Sequence, residues 1–455
     1  MSGMSLWAEQ AWIDGAWAQR VLLRADADGR WVEIRAGAPA PADAERLQGP
    51  ALPGLVNAHS HAFQRAFVGL AERRDSEKDD FWSWRDRMYG VALRITPEQL
   101  HAVASHLYAE LLAGGFTQVC EFHYLHHAPD GKPYADALAM SRALAQAAQD
   151  TGIGLTLLPV LYERAGFRQP ALREDQRRFA TTVDSVLRMR DAVRGWRLPN
   201  FEAGVAVHSL RAARPESLQE LSAALQGDNG PIHIHIAEQT GEVDECLAVH
   251  GARPIEWLCK ELPLDPRWQL VHATHATPAE IDGVAETGAG IVICPGTEAN
   301  LGDGLCDLPR WLAAKVPMAV GTDSHATRTV SEELRWLEYG QRLALRQRNV
   351  AAAPGTQPNT AARLFDAALA GGAAAAGWKS AGLRVGARAD LLVLNTDDDA
   401  LRGVPASHAL DAMVFASPTV PIKRTMVAGR WVEPIDAERT RRFESAMQTL
   451  SAAAR

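Results

Sequence analysis

The sequence predicts an α/β fold, namely a (β/α)8 barrel of the TIM type joined to a small β-sandwich domain that both termini build together. Three observations predict it. The middle of the chain alternates short apolar segments with helical ones, its polar residues collect where the apolar segments end, and both ends of the chain read as strands and turns. We expect residues 1–50 and 376–455, the latter with a terminal helix, to form the sandwich domain and residues 51–375 to form the barrel.

The two ends of the chain share a β-rich pattern. Asp-Gly pairs at 14–15 and 28–29 interrupt short apolar segments, which is a strong signal for hairpins. Near the other end, residues 383–394 and 425–432 again read as strands with turns. Two β-rich ends around one long middle favour a single composite β domain.

The barrel prediction depends on eight apolar segments, most of them separated by helical stretches. Helix starts are marked by Thr96 and Thr277, each followed by proline and then by the Gln or Glu of a capping box. Barrels of this kind carry their chemistry at the carboxyl ends of the strands. The predicted strand ends are His59 to His61, Glu121 to Tyr124, Pro159 to Tyr162, Val207 to His208, His233 to His235, Val271 to His272, Ile293 to Pro295 and Gly321 to Asp323.

Composition argues against several classes of protein. The net charge of −8 comes from interspersed acids and bases, so we expect neither a nucleic-acid nor a membrane partner. No apolar run approaches the roughly 18 residues of a membrane span, and no signal-peptide pattern opens the chain. The five cysteines are odd in number and lack Cys-x-x-Cys spacing, which indicates a reducing compartment. We therefore expect a cytoplasmic protein.

Four residues at three strand ends predict a metal site. His59 and His61 are two residues apart, so strand alternation points both imidazoles to the same side. His235 and Asp323 end two other strands and complete a set of three imidazoles and one carboxylate. This set suits one divalent ion, most favourably Zn²⁺ with Fe²⁺ also compatible, and leaves room for water.

Other interpretations of these residues remain open from the sequence. His233 shares a strand face with His235, and the residue nearer the strand end is preferred as the ligand. Asp323 could instead cap the following helix. No lysine ends the fourth strand at His208, where a bridging carboxylated lysine would be needed for a two-metal centre, so a single ion is favoured.

Proton transfer beside the metal needs groups that can hold a proton at the barrel mouth. Glu238 lies three residues after His235 and could do so without being a ligand. His272 ends the next strand and could hydrogen-bond the metal-bound water, although a lone histidine is more often a satisfied core residue. Asp323 could both touch the metal and accept a proton.

These motifs resemble the amidohydrolase superfamily over essentially the whole chain. The match comprises the His-x-His after Leu-Pro-Gly-Leu-Val-Asn-Ala, the His-Ile-Ala-Glu step at 235–238, His272, Gly-Thr-Asp-Ser at 321–324 and the returning strand at 386–393. The His-x-x-Glu step resembles the mononuclear deaminase branch. Within that branch, the chain is similar to the formimidoylglutamate deiminases of histidine degradation in five segments, at 59–66, 81–89, 121–127, 208–212 and 297–304. Small departures are Val207 in place of proline and Gly296 in place of a larger residue.

The resemblance implies an activity and roles for named residues. The implied reaction is zinc-dependent hydrolysis of N-formimino-L-glutamate to N-formyl-L-glutamate and ammonia. His59, His61, His235 and Asp323 would bind the metal, and Glu238, His272 and Asp323 would move protons. The residues implied in substrate binding are Gln64, Arg85, Tyr124, His208 and Arg211.

The substrate assignment has alternatives. A dicarboxylate substrate suits Arg85 and Arg211, because a guanidinium matches a carboxylate in shape and charge. Arg85 could instead be a solvated charge, and Arg211 could pair with a helix carboxylate. A deaminase of a purine or nucleoside derivative would share the metal and the proton carriers, but it would need stacking side chains and amide donors. A non-catalytic scaffold should have lost ligands, whereas all are present. A homodimer is possible.

Overall fold

The computed structural model describes residues 3–74, 81–416 and 418–452, and its strands form two sheets. In chain order the strands are β1 (Met4–Ile13), β2 (Ala16–Ala25), β3 (Trp31–Arg35), β4 (Glu45–Arg46), β5 (Ala51–Leu52), β6 (Leu55–Ser60), β7 (Phe116–His123), β8 (Gly154–Leu161), β9 (Phe201–Ala203), β10 (Val205–Ser209), β11 (Ile232–Ile236), β12 (Trp268–His272), β13 (Gly290–Ile293), β14 (Met318–Val320), β15 (Leu391–Leu394), β16 (Ile422–Val427) and β17 (Arg430–Trp431).

Helices fill most of the connections between the strands, and short 3-10 helices lie at Ala62–Ala66, Glu174–Phe179 and Ala406–His408. The α-helices are α1 (Phe81–Ala92), α2 (Pro97–Ala113), α3 (Ala139–Thr151), α4 (Val183–Gly195), α5 (Pro215–Ala224), α6 (Thr240–His250), α7 (Pro254–Glu261), α8 (Pro278–Thr287), α9 (Pro295–Leu301), α10 (Leu308–Ala313), α11 (Val330–Leu345), α12 (Thr360–Ala375), α13 (Ala409–Phe415) and α14 (Ala437–Ala452). Among the described residues, no helix combines the length and the apolar character needed to cross a membrane.

The larger sheet is the predicted barrel. Its parallel strands follow the order β14-β13-β12-β11-β10-β8-β7-β6, with β9 pairing at the side of β8. Each of the eight predicted strand ends falls at the end of one of these strands, so the fold-class prediction is confirmed. Strands such as β7, β8 and β11 are buried along their whole length, as expected for parallel strands with helices outside and side chains inside the barrel. The capping boxes at Thr96 and Thr277 begin α2 and α8.

The barrel closes where its first and last strands meet, at a junction that we call the seam. No ladder joins β6 to β14; instead Ser60 and Asp323 form an isolated bridge. The Asp323 N–H donates to the His59 carbonyl at 2.9 Å, and the His61 N–H donates to the Asp323 carbonyl at 3.2 Å. The backbone of the predicted ligands therefore holds the seam together.

The second sheet draws strands from both ends of the chain. Its order is β17-β16-β15-β5-β1-β2-β3, with β4 pairing beside β1. It has its own buried cluster, which includes Leu6, Trp31, Leu391 and Met426. Strand β5 ends three residues before β6 begins, so the sheet leads directly into the strand that carries His59. The division at residues 50 and 375 stays a prediction.

Candidate active site

The predicted metal ligands come together inside the carboxyl end of the barrel. The Nε2 atoms of His59 and His235 are 2.9 Å apart. The Nε2 atoms of His59 and His61 each lie 3.4 Å from Oδ1 of Asp323. All four side chains are at most 8% exposed. Three strand ends thus place three nitrogen donors and one oxygen donor around a common point.

The chemistry of this donor set fits a bound cation. The Nδ1–H of His61 donates to the Phe122 carbonyl at 2.9 Å, which leaves the lone pair on Nε2 facing the Asp323 carboxylate. Burial lowers the pKa of His59 to about 3, so its imidazole is neutral at ordinary pH. Burial acts to raise the pKa of Asp323, but its contacts with the imidazoles of His59 and His61 keep that pKa below its usual range. Lone pairs that face a carboxylate repel it unless a cation lies between them, so these residues fit a metal cofactor.

The alternative ligands lie elsewhere. The Nε2 atom of His233 is 2.9 Å from the carbonyl of Ala375 and therefore points to α12 rather than to His59. Asp323 does not cap a helix, because α11 begins seven residues later and its cap is Thr329. The alternatives therefore lie outside the donor set, and the choice of ligands stays a prediction.

The predicted proton carriers lie beside the donor set. Nε2 of His272 is 3.7 Å from Oε1 of Glu238 and 3.9 Å from Oδ2 of Asp323. Burial raises the pKa of Glu238 to about 7, despite the opposing charges of His272 and Arg211. Burial lowers the pKa of His272, but Glu238, a hydrogen bond to Glu298 and Asp323 together raise it to about 10.

The backbone is strained at these strand ends. Ala237, His272 and Asp323 have φ angles of 50°, 71° and 47°, in the left-handed region that residues other than glycine rarely adopt. Strain of this kind costs about 1–3 kcal/mol per residue and persists where the surrounding contacts hold it. Here it is found at or just after the ends of β11, β12 and β14, the strands that lead into the donor set.

A cavity opens beside the donor set, and all five residues implied in substrate binding line it. Further residues on its wall come from α1, the end of α9, the segment after β8 and the donor set with its proton carriers. The lining residues are His61, Gln64, Phe81, Trp84, Arg85, Met88, Tyr89, Tyr124, Tyr162, His208, Arg211, His235, Glu238, His272, Leu301 and Asp323.

The two arginines reach this cavity from different elements. Arg85 lies on α1 with its side chain only 14% exposed and its guanidinium 4.7 Å from the Trp82 ring, so it is not a solvated charge. Arg211 follows β10 and lies 3.8 Å from carboxylate oxygens of both Glu238 and Glu242. Glu242 is on α6, so the pairing with a helix carboxylate that the sequence left open is present, and Arg211 still lines the cavity.

The neutral side chains form a connected polar wall. Gln64 donates from Nε2 to the Tyr124 hydroxyl at 3.1 Å. The Tyr124 ring lies 5.7 Å from the ring of His208 and 5.0 Å from that of His61. This wall joins the predicted metal ligands to the strand end that precedes Arg211.

Sequence reasoning missed two buried carboxylates at the site. Glu298 on α9 contacts Nδ1 of His272 at 3.2 Å, and Glu242 accepts the N–H of Glu238 at 3.3 Å. A sequence signal was available for one of them. Glu242 is four residues after Glu238, in the first turn of α6. Glu298 is five residues after the end of β13, inside α9, where the strand-end rule does not apply.

Comparison with known proteins agrees with this geometry. The formimidoylglutamate deiminase of Pseudomonas aeruginosa is 46% identical over 94% of this chain and 94% of its own length. A 5-methylthioadenosine/S-adenosylhomocysteine deaminase of Natronomonas pharaonis is 28% identical over 86% of this chain and 84% of its own. The crystal structure of an amidohydrolase from Brucella melitensis is 40% identical, has a TM-score of 0.92 and covers 98% of this chain and 100% of that one. The model of the amidohydrolase family matches residues 51–432, and the chain belongs to that family.

Proposed function

We propose that this protein hydrolyses N-formimino-L-glutamate to N-formyl-L-glutamate and ammonia. The observation that carries the proposal is a pair of arginines, Arg85 and Arg211, in a buried cavity beside a donor set that fits a metal. A substrate with two carboxylates needs such a pair, because each guanidinium can hold one carboxylate through two parallel hydrogen bonds. The name of the relative from Pseudomonas aeruginosa supports the same reaction.

We propose zinc as the ion that His59, His61, His235 and Asp323 would hold. Three imidazoles and one carboxylate are a preferred set for zinc, and iron is the alternative. When bound, such an ion supplies Lewis-acid activation of water. The measurement that decides between the two is elemental analysis of protein purified without added metal.

The side chains around the cavity would orient the formimino group. With its carboxylates on the arginines, the substrate would present its formimino carbon toward Glu238 and Asp323. Gln64 and Tyr124 offer amide and hydroxyl groups for the amidine nitrogens. Fixing the reacting groups at a distance of about 3 Å is itself a large part of catalysis.

The proton carriers would complete the hydrolysis. A water oxygen adds to the formimino carbon, and Asp323 accepts a proton from that water. With the formimino group bound as its amidinium ion, this gives a neutral adduct that carries a hydroxyl and an amino group. Glu238 then delivers a proton to that amino nitrogen, the bond from the carbon to it breaks, and the hydroxyl returns a proton to Glu238 as the formyl C=O forms. A pKa near 7 suits this task, because the carboxyl can hold and release a proton at neutral pH. The products are the formyl amide and ammonia.

The experiment that tests the proposal is ammonia release by the purified, zinc-loaded protein. N-formimino-L-glutamate and S-adenosylhomocysteine are assayed side by side, with and without a chelator. We expect release from the first compound alone, and its loss on chelation. Release from the nucleoside alone would replace the proposed substrate with a purine derivative.

The cellular setting is part of the proposal. All five cysteines are free and four of them are buried, which suits a reducing cytoplasm. A homodimer stays a prediction, and the sedimentation velocity of the purified protein tests it.

A further inference from the structure

The second ring nitrogen of His272 is held by a carboxylate that lies outside the cavity lining. Oε1 of Glu298 accepts from Nδ1 of His272 at 3.2 Å and from the N–H of Cys294 at 2.9 Å. Glu298 is 5% exposed and His272 is 1% exposed. A charge-assisted hydrogen bond between two groups so well shielded from water is strong and directional.

The contact with Glu298 affects the site because His272 lies between Glu298 and the proposed reacting groups. Its other nitrogen, Nε2, faces Glu238 and Asp323 at 3.7 and 3.9 Å. Because Nδ1 donates to Glu298, the orientation of the ring is fixed, and so is the direction in which Nε2 points. The left-handed backbone of His272 does not by itself set the side-chain torsions, so the orientation of the ring depends on the contacts of the ring.

Glu298 is itself held firmly. The helix that carries it, α9, is anchored by the Gly296 N–H, which donates to Glu333 at 2.9 Å. The hydroxyl of Thr297 donates to the Thr322 carbonyl at 3.1 Å, one residue before Asp323. The element that positions Glu298 is therefore tied to the same seam that presents the metal ligands.

We propose that Glu298 is a positioning residue, which holds the His272 ring so that Nε2 faces the reacting groups. This inference rests on the proposed function for its kinetic consequence, but the ring orientation can be measured without turnover. Nδ1 of His272 donates a hydrogen bond to Glu298, so Nε2 is the ring nitrogen that can contact the substrate.

The kinetic test compares Glu298→Gln and Glu298→Ala with Glu333→Gln as the matched control. Glu333 is also a buried carboxylate that accepts a backbone N–H of α9, but it is not in contact with His272. We expect kcat to fall about 10-fold for Gln and about 100-fold for Ala, at or below the roughly 100- to 10,000-fold contribution of a proton-transfer group, because Glu298 acts only through His272. KM and zinc content should stay constant. Glu333→Gln should change kcat less than about twofold. If Glu298→Gln and Glu333→Gln lose kcat and zinc equally, Glu298 only helps to hold α9 in place, and the proposal is overturned.

The spectroscopic test uses zinc-loaded protein labelled with 15N-histidine. The resonances of His272 are those that disappear in His272→Asn. We expect the Nδ1 resonance of a ring hydrogen-bonded to a carboxylate in the parent protein and in Glu333→Gln. In Glu298→Ala we expect that resonance to move toward the position of a ring without this hydrogen bond. An unchanged His272 spectrum in Glu298→Ala would refute the positioning role. If the parent protein gives the expected spectra but does not hydrolyse formiminoglutamate, the proposed substrate is wrong, and the positioning role of Glu298 is still supported.

Discussion

Arg211 has two carboxylate neighbours and makes a hydrogen bond to neither. Glu238 and Glu242 both lie at 3.8 Å, beyond hydrogen-bonding distance, and Nε of Arg211 has no hydrogen-bond partner among the described residues. An unsatisfied buried donor is costly unless a ligand completes it. The two glutamates thus balance the charge of the guanidinium, while its N–H groups remain able to donate to a substrate carboxylate.

Replacing Arg211 should therefore weaken substrate binding more than it weakens the fold. We expect Arg211→Gln to raise KM for formiminoglutamate about 10- to 100-fold, the equivalent of one charge-assisted hydrogen-bonded pair. Steady-state kinetics measure it. The matched control is Arg164→Gln, because Arg164 is also buried but donates to the Leu210 carbonyl. An unchanged KM in Arg211→Gln would contradict the assigned role.

Glu333 predicts a pH dependence of stability. Burial raises its pKa to about 8 from an ordinary value of 4.5, so the folded protein favours the protonated form. The stabilisation that it contributes is complete below about pH 4.5 and is lost as the pH rises toward 8, because the folded state binds the proton more tightly. The side chain of the Glu333→Gln variant cannot ionise, so the variant does not lose stability in this way as the pH rises.

The measurement for Glu333 is the free energy of unfolding of both proteins at pH 5 and pH 8. The advantage of the parent over Glu333→Gln should shrink by more than ~1 kcal/mol between the two, since one pKa unit corresponds to about 1.4 kcal/mol. A difference that stays constant with pH would show that the folded pKa of Glu333 is not raised.

Among single residues, the sequence predicted those at the ends of strands. It did not predict the helix residues whose side chains contact the site. His59, His235 and Asp323 follow from one rule, that chemistry collects at the carboxyl ends of barrel strands. Glu298 does not follow from it, because its contact with His272 depends on how α9 docks. Helix docking is set by packing in three dimensions, which hydrophobic periodicity does not encode.

Among the elements, β14 and β6 meet unusually closely. A Cβ atom placed on Gly321 would lie 2.7 Å from Cβ of His59 and 2.8 Å from its backbone nitrogen. Real side-chain atoms do not approach the backbone so closely, so only glycine allows the last strand to lie against the first. The Gly in Gly-Thr-Asp-Ser is therefore required by the closure of the barrel.

Gly321→Ala should force the seam apart. We expect it to lower the free energy of unfolding by about 1–3 kcal/mol, as overpacking usually does, and to reduce the zinc content because His59 must move. Denaturant titration and elemental analysis measure the two effects. Gly283→Ala on α8 is the control, since nothing lies within 4 Å of its added Cβ, and it should be neutral or stabilising.

The elements themselves were largely predictable. Strands buried on both sides read as apolar runs, and a proline after a capping threonine marks a helix start, as at α2 and α8. The three-residue strand β9 was missed, because it pairs only at the side of β8 and has one buried residue. So short a segment carries no periodicity to detect.

For the whole molecule, the metal and the fold should be thermodynamically linked. An ion that binds only the closed site stabilises the folded state by RT ln(1 + [L]/Kd), about 2.7 kcal/mol when the free ion is at one hundred times Kd. We expect a chelator to lower Tm by several degrees, and added zinc to restore it, as measured by calorimetry. In Asp323→Asn the chelator should have little effect. Equal shifts in both proteins would mean that the chelator acts elsewhere.

The seam has a further consequence for the way this protein is made. Asn57 and Thr322, which bond to each other beside the ligands, are 265 positions apart in the chain. During synthesis on the ribosome, 265 further residues, more than half of the 455-residue chain, must be added after Asn57 before Thr322 is made. Closing so long a loop is slow, and an incomplete chain keeps an open strand edge at β6. Truncated or stalled chains should therefore be unable to acquire the metal, which makes metal uptake a reporter of completed synthesis.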